Sequence, residues 1–194
     1  MTDREEFLEI FRTHVTRPGS EKLLDWMDSK TDFFSAPAST RFHGACEGGL
    51  CAHSLNVYRV LHGTFFTPDE DSEETFAICA LLHDLCKANF YKKGTRNVKN
   101  EATGQWEKVP SYSVEDLFPY GHGEKSVFLI ERFMKLHIEE AVAIRWHMGG
   151  FDDAARGGCF AISEAYDKYP LAVKLHIADL EATYLMEHRT SAVR

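Results

Sequence analysis

Ala80-Leu81-Leu82-His83-Asp84-Leu85-Cys86-Lys87 is an apolar run that closes on a His-Asp pair, with a lysine three residues beyond the aspartate. Neighbouring residues on an α-helix point about 100° apart, so two such side chains converge only on an object lying between their directions. A metal ion is such an object. Phe76, Ile78, Cys79, Leu81, Leu82 and Leu85 surround the run on most sides, which predicts a buried central helix from Glu73 to about Ala88. An ionised Asp84 at the inner end of that helix is costly unless it is paired or coordinated.

The rest of the chain supplies companions for this pair. His53 interrupts the apolar stripe Leu50, Leu55, Val57, Val60 and Leu61 of a helix predicted from Leu50 to about Phe66. His122, between Gly121 and Gly123, stands in a loop that leads into a helix predicted from Glu124 to about Met134. His147 ends a helix predicted from His137, where Gly149-Gly150 stops the chain and the helix dipole alone also favours a cation. Asp179 falls among apolar residues of a last helix, Leu171 to about His188, with His176 on the same face, either behind the ligands or exposed. Residues so scattered are what a site between packed helices requires.

Composition bounds the reading. A chain of 194 residues fits one domain with room for a buried polar site. Its acidic N-terminus and short apolar runs give no sign of a signal peptide or membrane span, so a cytoplasmic location and no membrane partner are expected. The 5 cysteines form no C-x-x-C pair, which favours reduced thiols over disulfides or a thiolate zinc site. A net charge of −8 argues against duplex nucleic acid as a partner, so an anionic substrate would be held by local charges or bound cations.

Before the central helix, Thr2 and Glu5 form the pattern of a capping box for a helix over 3–15, and Ser20 is expected to cap a second helix that finishes near Lys30. Residues 31–48 read as irregular and include His43 in a glycine-containing loop. From about 90 to 114 the helical period disappears, and two strand-like runs flank Asn100–Gly104, a β-hairpin inserted between helices. Its Lys92, Lys93, Arg96, Tyr91, Trp106 and Tyr112 are either near the site or a solvated face. Residues 151–159 read as a loop before a short helix around Ile162–Tyr166.

In order and on successive helices, His53, His83-Asp84 and Asp179 resemble the metal-binding signature of the HD-domain phosphohydrolase superfamily. His122 and His147 resemble the two extra histidines of members that hold two metals. Gly48-Gly49-Leu50-Cys51-Ala52-His53-Ser54 and Leu81-Leu82-His83-Asp84-Leu85-Cys86-Lys87 are similar to motifs of HD modules in some bacterial 3′–5′ exoribonucleases and nucleotide-hydrolysing relatives, many of which carry Gly at the place of Cys86.

The resemblance implies an all-α HD-domain helical bundle with the hairpin inserted: one domain over 1–194, with packing helices in 1–40 and the HD core over 41–188. Residues 1–40 hold no OB-fold, so processive RNA degradation is not expected. One or two divalent ions (Mn, Fe, Ni, Co, Zn or Mg) are implied, with His53, His83, Asp84 and Asp179 around one, His122 and His147 completing a second, and Asp84 bridging. Activated water would then cleave a phosphate ester of a nucleotide or short oligonucleotide. Lys87 is the first candidate to contact phosphate, Arg145 and Lys125 weaker ones, and His43 either protonates the leaving group or lines the pocket. Two other readings share this scaffold: a catalytically weak nucleotide-binding regulatory module, and an iron oxygenase with its own ligand set.

Overall fold

A computed structural model describes residues 1–187, which are mostly helical with a small two-stranded antiparallel sheet. In α1 (Asp3–His14) the capping box forms: Thr2 Oγ1 accepts from the Glu5 amide at 3.3 Å and Glu5 Oε2 accepts from the Thr2 amide at 2.8 Å. In α2 (Ser20–Lys30) the cap is Gly19, at φ 97°, and Ser20 is already helical, which corrects the expected Ser20 cap. Both helices bury their apolar stripes, Phe7 and Phe11 against Leu23, Leu24, Met27 and Phe33.

Next come α3 (Gly49–Phe65) and α4 (Glu73–Leu82), whose residues from Thr75 to Leu82 are all buried. The predicted continuation of α4 to Ala88 does not occur. The helix stops at Leu82, Asp84 takes φ −102° and ψ 19°, and Leu85–Lys87 make one turn of 3₁₀ helix closed by the Lys87 amide on the Asp84 carbonyl at 2.9 Å. The break releases Asp84 from the helical direction that would have held it apart from His83.

The hairpin follows as predicted, β1 (Tyr91–Lys99) with β2 (Trp106–Val114), in a register pairing Tyr91 with Val114 and Lys99 with Trp106. Lys92 pairs with Glu115 at 3.1 Å and Lys93 with Glu47 at 3.0 Å, and Trp106 is exposed, a solvated face for these three, whereas Tyr91 lies near the site, half-buried beside Lys87 with its hydroxyl donating to the Ala38 carbonyl at 3.2 Å.

Beyond the hairpin lie α5 (His122–Glu131), α6 (Ile138–Trp146), α7 (Asp153–Arg156), α8 (Ala161–Lys168) and α9 (Pro170–Glu181), the last passing into a π-helical turn over Ala182–Met186. Three expectations are corrected. His122 is the first residue of α5 and not part of a loop, because Gly121 at φ 89° turns the chain before it. The stretch 151–159 contains α7, because Asp152 Oδ1 caps it by accepting from the Ala154 amide at 2.9 Å and the Ala155 amide at 3.3 Å. The last α-helix ends at Glu181, and the boundary expected at His188 lies outside the described residues.

The inner layer is α3, α4, α6 and α9, with α4 against α3, α1 and α6, and α9 against α6 and α3. Gly123 lets α5 meet α6 backbone to backbone, since a Cβ there would stand 2.2 Å from the Arg145 carbonyl oxygen. Gly149, at φ 56°, gives the same freedom where the His176 ring packs, 2.3 Å from the place of a Cβ. No helix among the described residues is long and apolar enough to cross a membrane.

One ion cluster ties the outer helices to this layer. Arg17 bonds Glu140 at 2.7 and 2.8 Å and Glu74 at 3.1 Å, and Thr75 Oγ1 donates to Glu140 at 2.9 Å, with Glu140 fully buried. Arg17→Leu strands the buried Glu140 carboxylate and is expected to lower stability by about 3 kcal/mol in denaturant unfolding, whereas Arg17→Leu with Glu140→Leu recovers most of it. Equal losses in the single and double variants would contradict this.

Candidate metal centre

Asp84, almost fully buried, stands at the centre of a histidine cluster. Its Oδ2 faces His53 Nε2 at 3.6 Å and His83 Nε2 at 3.5 Å. Its Oδ1 faces His122 Nε2 at 2.8 Å and His147 Nε2 at 3.6 Å. Asp179 Oδ1 lies 3.2 Å from His53 Nε2. Five elements thus meet in one cluster: α3 brings His53, the end of α4 brings His83-Asp84, the start of α5 brings His122, the end of α6 brings His147, and α9 brings Asp179 to His53. All six residues predicted as ligands come together in overlapping groups, His53 with His83 and Asp179, His83 with Asp84 and His147, and Asp84 with His122 and Cys86.

Backbone carbonyls fix which ring nitrogens face inward. His83 Nδ1 donates to the Ala80 carbonyl at 2.8 Å and His147 Nδ1 to the Ile144 carbonyl at 2.7 Å, because a carbonyl can only accept. Their Nε2 lone pairs therefore point into the cluster, and His147 Nε2 is buried without a hydrogen-bond partner. His83 Nε2 and His53 Nε2 are 3.3 Å apart, a spacing two acceptors tolerate only with a proton or a cation between them. Two nitrogen ligands about 2.1 Å from a common ion stand about 3.0–3.4 Å apart at octahedral to tetrahedral angles, so the donor set fits a divalent metal.

Supporting contacts lie one layer out, and two of them the sequence does not announce. Glu187 Oε1 accepts from His53 Nδ1 at 2.8 Å and from Asn56 at 3.2 Å, the carboxylate–histidine arrangement that aims a ligand. Glu187 follows directly on the π turn over Ala182–Met186, which sets its place beside His53. Cys86 Sγ stands 3.4 Å from His122 Nδ1 and 3.7 Å from its Nε2, on the same side of the cluster as Asp84. His176, expected behind the ligands or exposed, is behind them: its Nδ1 donates to the His147 carbonyl at 2.6 Å.

The candidate phosphate-binding cations are already engaged. Lys87 Nζ donates to Asp84 Oδ2 at 2.6 Å, yet it lines the cavity of about 400 Å³ above the cluster. Lys125 pairs with Asp116 at 2.6 Å, and Arg145 pairs with Glu124 and, at 2.9 Å, with Asp152. Those two line side clefts that meet the cavity at His122. His43 lines the cavity itself, its ring 4.8 Å from that of His53, with a buried and unpartnered Nε2.

Charge and burial oppose each other throughout. Burial pushes the Asp84 carboxyl up, but Lys87 and the surrounding histidines hold it well below the usual range, and Asp179 is likewise held down by His53 against its burial. Burial would lower His53, yet its bonds to Asp179 and Glu187 outweigh this and raise it to about 9. His122 rises to about 10, burial being overcome by Cys86 and Asp84. Burial, then repulsion from His53 and Lys87, drops His43 to about 4, so at neutral pH it is an uncharged imidazole.

A family model described as HD domain matches residues 50–183, most of the chain and every ligand candidate. The chain belongs to the HD-domain family. No curated protein and no solved structure matches it.

Without metal, the protonated His53 stabilises the fold fully below its ordinary pKa of 6.5, and that contribution is lost as pH rises through about 9. A divalent ion displaces this proton, so binding at pH 7 is expected to release protons and to tighten as pH rises towards 9. Calorimetry in buffers of different ionisation enthalpy reads the release directly, and a proton count of zero would contradict the assignment. Glu187→Gln is expected to weaken binding roughly tenfold or more.

Proposed function

We propose that this HD-domain protein is a metal-dependent phosphohydrolase, acting as a single domain on a phosphate ester of a nucleotide or short oligonucleotide. The observation that carries the reading is the Asp84 carboxylate, which turns one oxygen to His53 and His83 and the other to His122 and His147. On this reading His53, His83, Asp84 and Asp179 hold one divalent ion, and His122 and His147 hold a second with Asp84 between them. Bound there, such ions supply Lewis acidity and a water of lowered pKa beside a phosphoryl group.

The chain's own groups do the rest. Lys87 balances Asp84 and reaches the cavity, where its ammonium can meet a phosphate oxygen without leaving the carboxylate. A neutral His43 lines the wall, able to donate from one ring nitrogen and accept at the other. The motif wording resembles that of HD modules in some bacterial 3′–5′ exoribonucleases and in nucleotide-hydrolysing relatives, and the net charge of −8 agrees with a small phosphate ester as partner and not with duplex nucleic acid.

Protein loaded in turn with Mn, Fe, Co, Ni, Zn or Mg is expected to release phosphate or nucleotide from a panel of nucleoside monophosphates, dinucleotides and nitrophenyl phosphate esters. Asp84→Asn or Asp179→Asn should reduce the rate more than about a hundredfold. Tight nucleotide binding with no turnover under any of these ions would instead establish a nucleotide-binding regulatory module.

A further inference from the structure

The cavity above the cluster has two kinds of wall. Its floor is charged, with Asp84, Asp179, Lys87 and His122, while Phe42, Phe151 and Tyr184 bring aromatic surface to its rim. Phe42 is 64% exposed, Phe151 47% and Tyr184 55%, so aromatic surface at the rim is open to solvent. Exposed aromatic faces beside a phosphate site are what nucleobases stack on.

Arg156 lines the same cavity. It is the last residue of α7, a turn fixed in place by the Asp152 cap, and its guanidinium lies 5.7 Å from the centre of the Phe151 ring. Lys87, Lys125 and Arg145 each have a carboxylate partner. Among the described residues Arg156 pairs with no carboxylate, so it is the cavity-lining cation whose donors are not already spent. A guanidinium parked on an aromatic face keeps its planar fork of N–H donors, which matches phosphate bidentately.

Lys87, at the floor, already serves the phosphoryl group that approaches the cluster. Arg156 belongs to a different segment, on the aromatic rim. Resting on the phosphohydrolase reading, we propose that Arg156 with Phe151 forms a second phosphate-binding subsite, and that the preferred substrates are nucleotides bearing two phosphoryl groups, the scissile one at the cluster and another at the rim. A nucleoside 3′,5′-bisphosphate and a 5′-phosphorylated dinucleotide have this chemistry, and a nucleoside monophosphate lacks it.

The test compares binding and turnover of a nucleoside 5′-monophosphate, the matching 3′,5′-bisphosphate and a 5′-phosphorylated dinucleotide by the Mn-loaded full chain and its Arg156→Ala and Arg156→Lys variants. A lost charged hydrogen bond corresponds to about a tenfold to hundredfold change in affinity. Arg156→Ala is therefore expected to raise Kd and KM at least about tenfold for the two-phosphate ligands, with kcat nearly unchanged and the monophosphate shifted less than about twofold. Arg156→Lys recovers part of the loss, which a merely structural role would not produce. Equal effects on all three ligands, or none on any, would overturn the subsite while leaving the hydrolase reading standing. Failure of the wild-type protein to bind or hydrolyse any of them would overturn both.

Discussion

A carboxylate buried in the middle of a protein must be answered by positive charge, and the arrangement of this chain follows from how Asp84 is answered. Its neighbours are four imidazoles and one ammonium, drawn from five separate elements. No single helix can supply that many donors to one point, so the helices that carry them must pack with their ligand-bearing ends together. The apolar stripes of α3, α4 and α9 supply the free energy for this, and the polar cluster fixes which ends meet.

Local conformation is bent to the same purpose. α4 ends one residue before His83 and hands Asp84 to a 3₁₀ turn, α5 begins on His122 after a glycine of positive φ, and α9 gives way to a π turn that delivers Glu187 to His53. Each departure from regular helix falls beside a ligand candidate. Close approach at Gly123 then brings the start of α5 onto the end of α6, which sets His122 and His147 on the same oxygen of Asp84. Glu187 and the carbonyls of Ala80 and Ile144 each hold the Nδ1 of a ligand imidazole, His53, His83 and His147, and leave its Nε2 to face the cluster.

Much of this was legible in the sequence because it rests on pattern. The amphipathic periods located the helices, the Thr2–Glu5 box located the first start, the strand-like runs gave the hairpin, and the six metal-ligand candidates were brought together as a set by the HD resemblance, with His53 and Asp179 also marked by apolar neighbours, His122 by flanking glycines and His147 by a helix end. What the sequence did not show depends on conformations that break the helical period. The stop at Leu82 leaves no mark in a sequence where Leu85 still follows Leu81 at helical spacing, and Glu187 reaches His53 only where the helix has given way to the π turn. Arg156 was missed for a different reason. The Asp152 cap that creates α7 was hidden in a stretch rich in Gly and Ala, so its arginine read as part of a loop, whereas Lys87 and Arg145, chosen for their place near the motifs, proved to be tied to carboxylates.

The central claim is that these side chains share an inorganic centre, and the most direct measurement is a crystal structure with Mn²⁺, recorded with anomalous scattering. The account predicts anomalous density within bonding distance of the Nε2 atoms of His53 and His83 and of the carboxylates of Asp84 and Asp179, with any second peak beside His122 and His147. Empty density there, with His53 still bonded to Asp179 and the ion bound elsewhere, would contradict it.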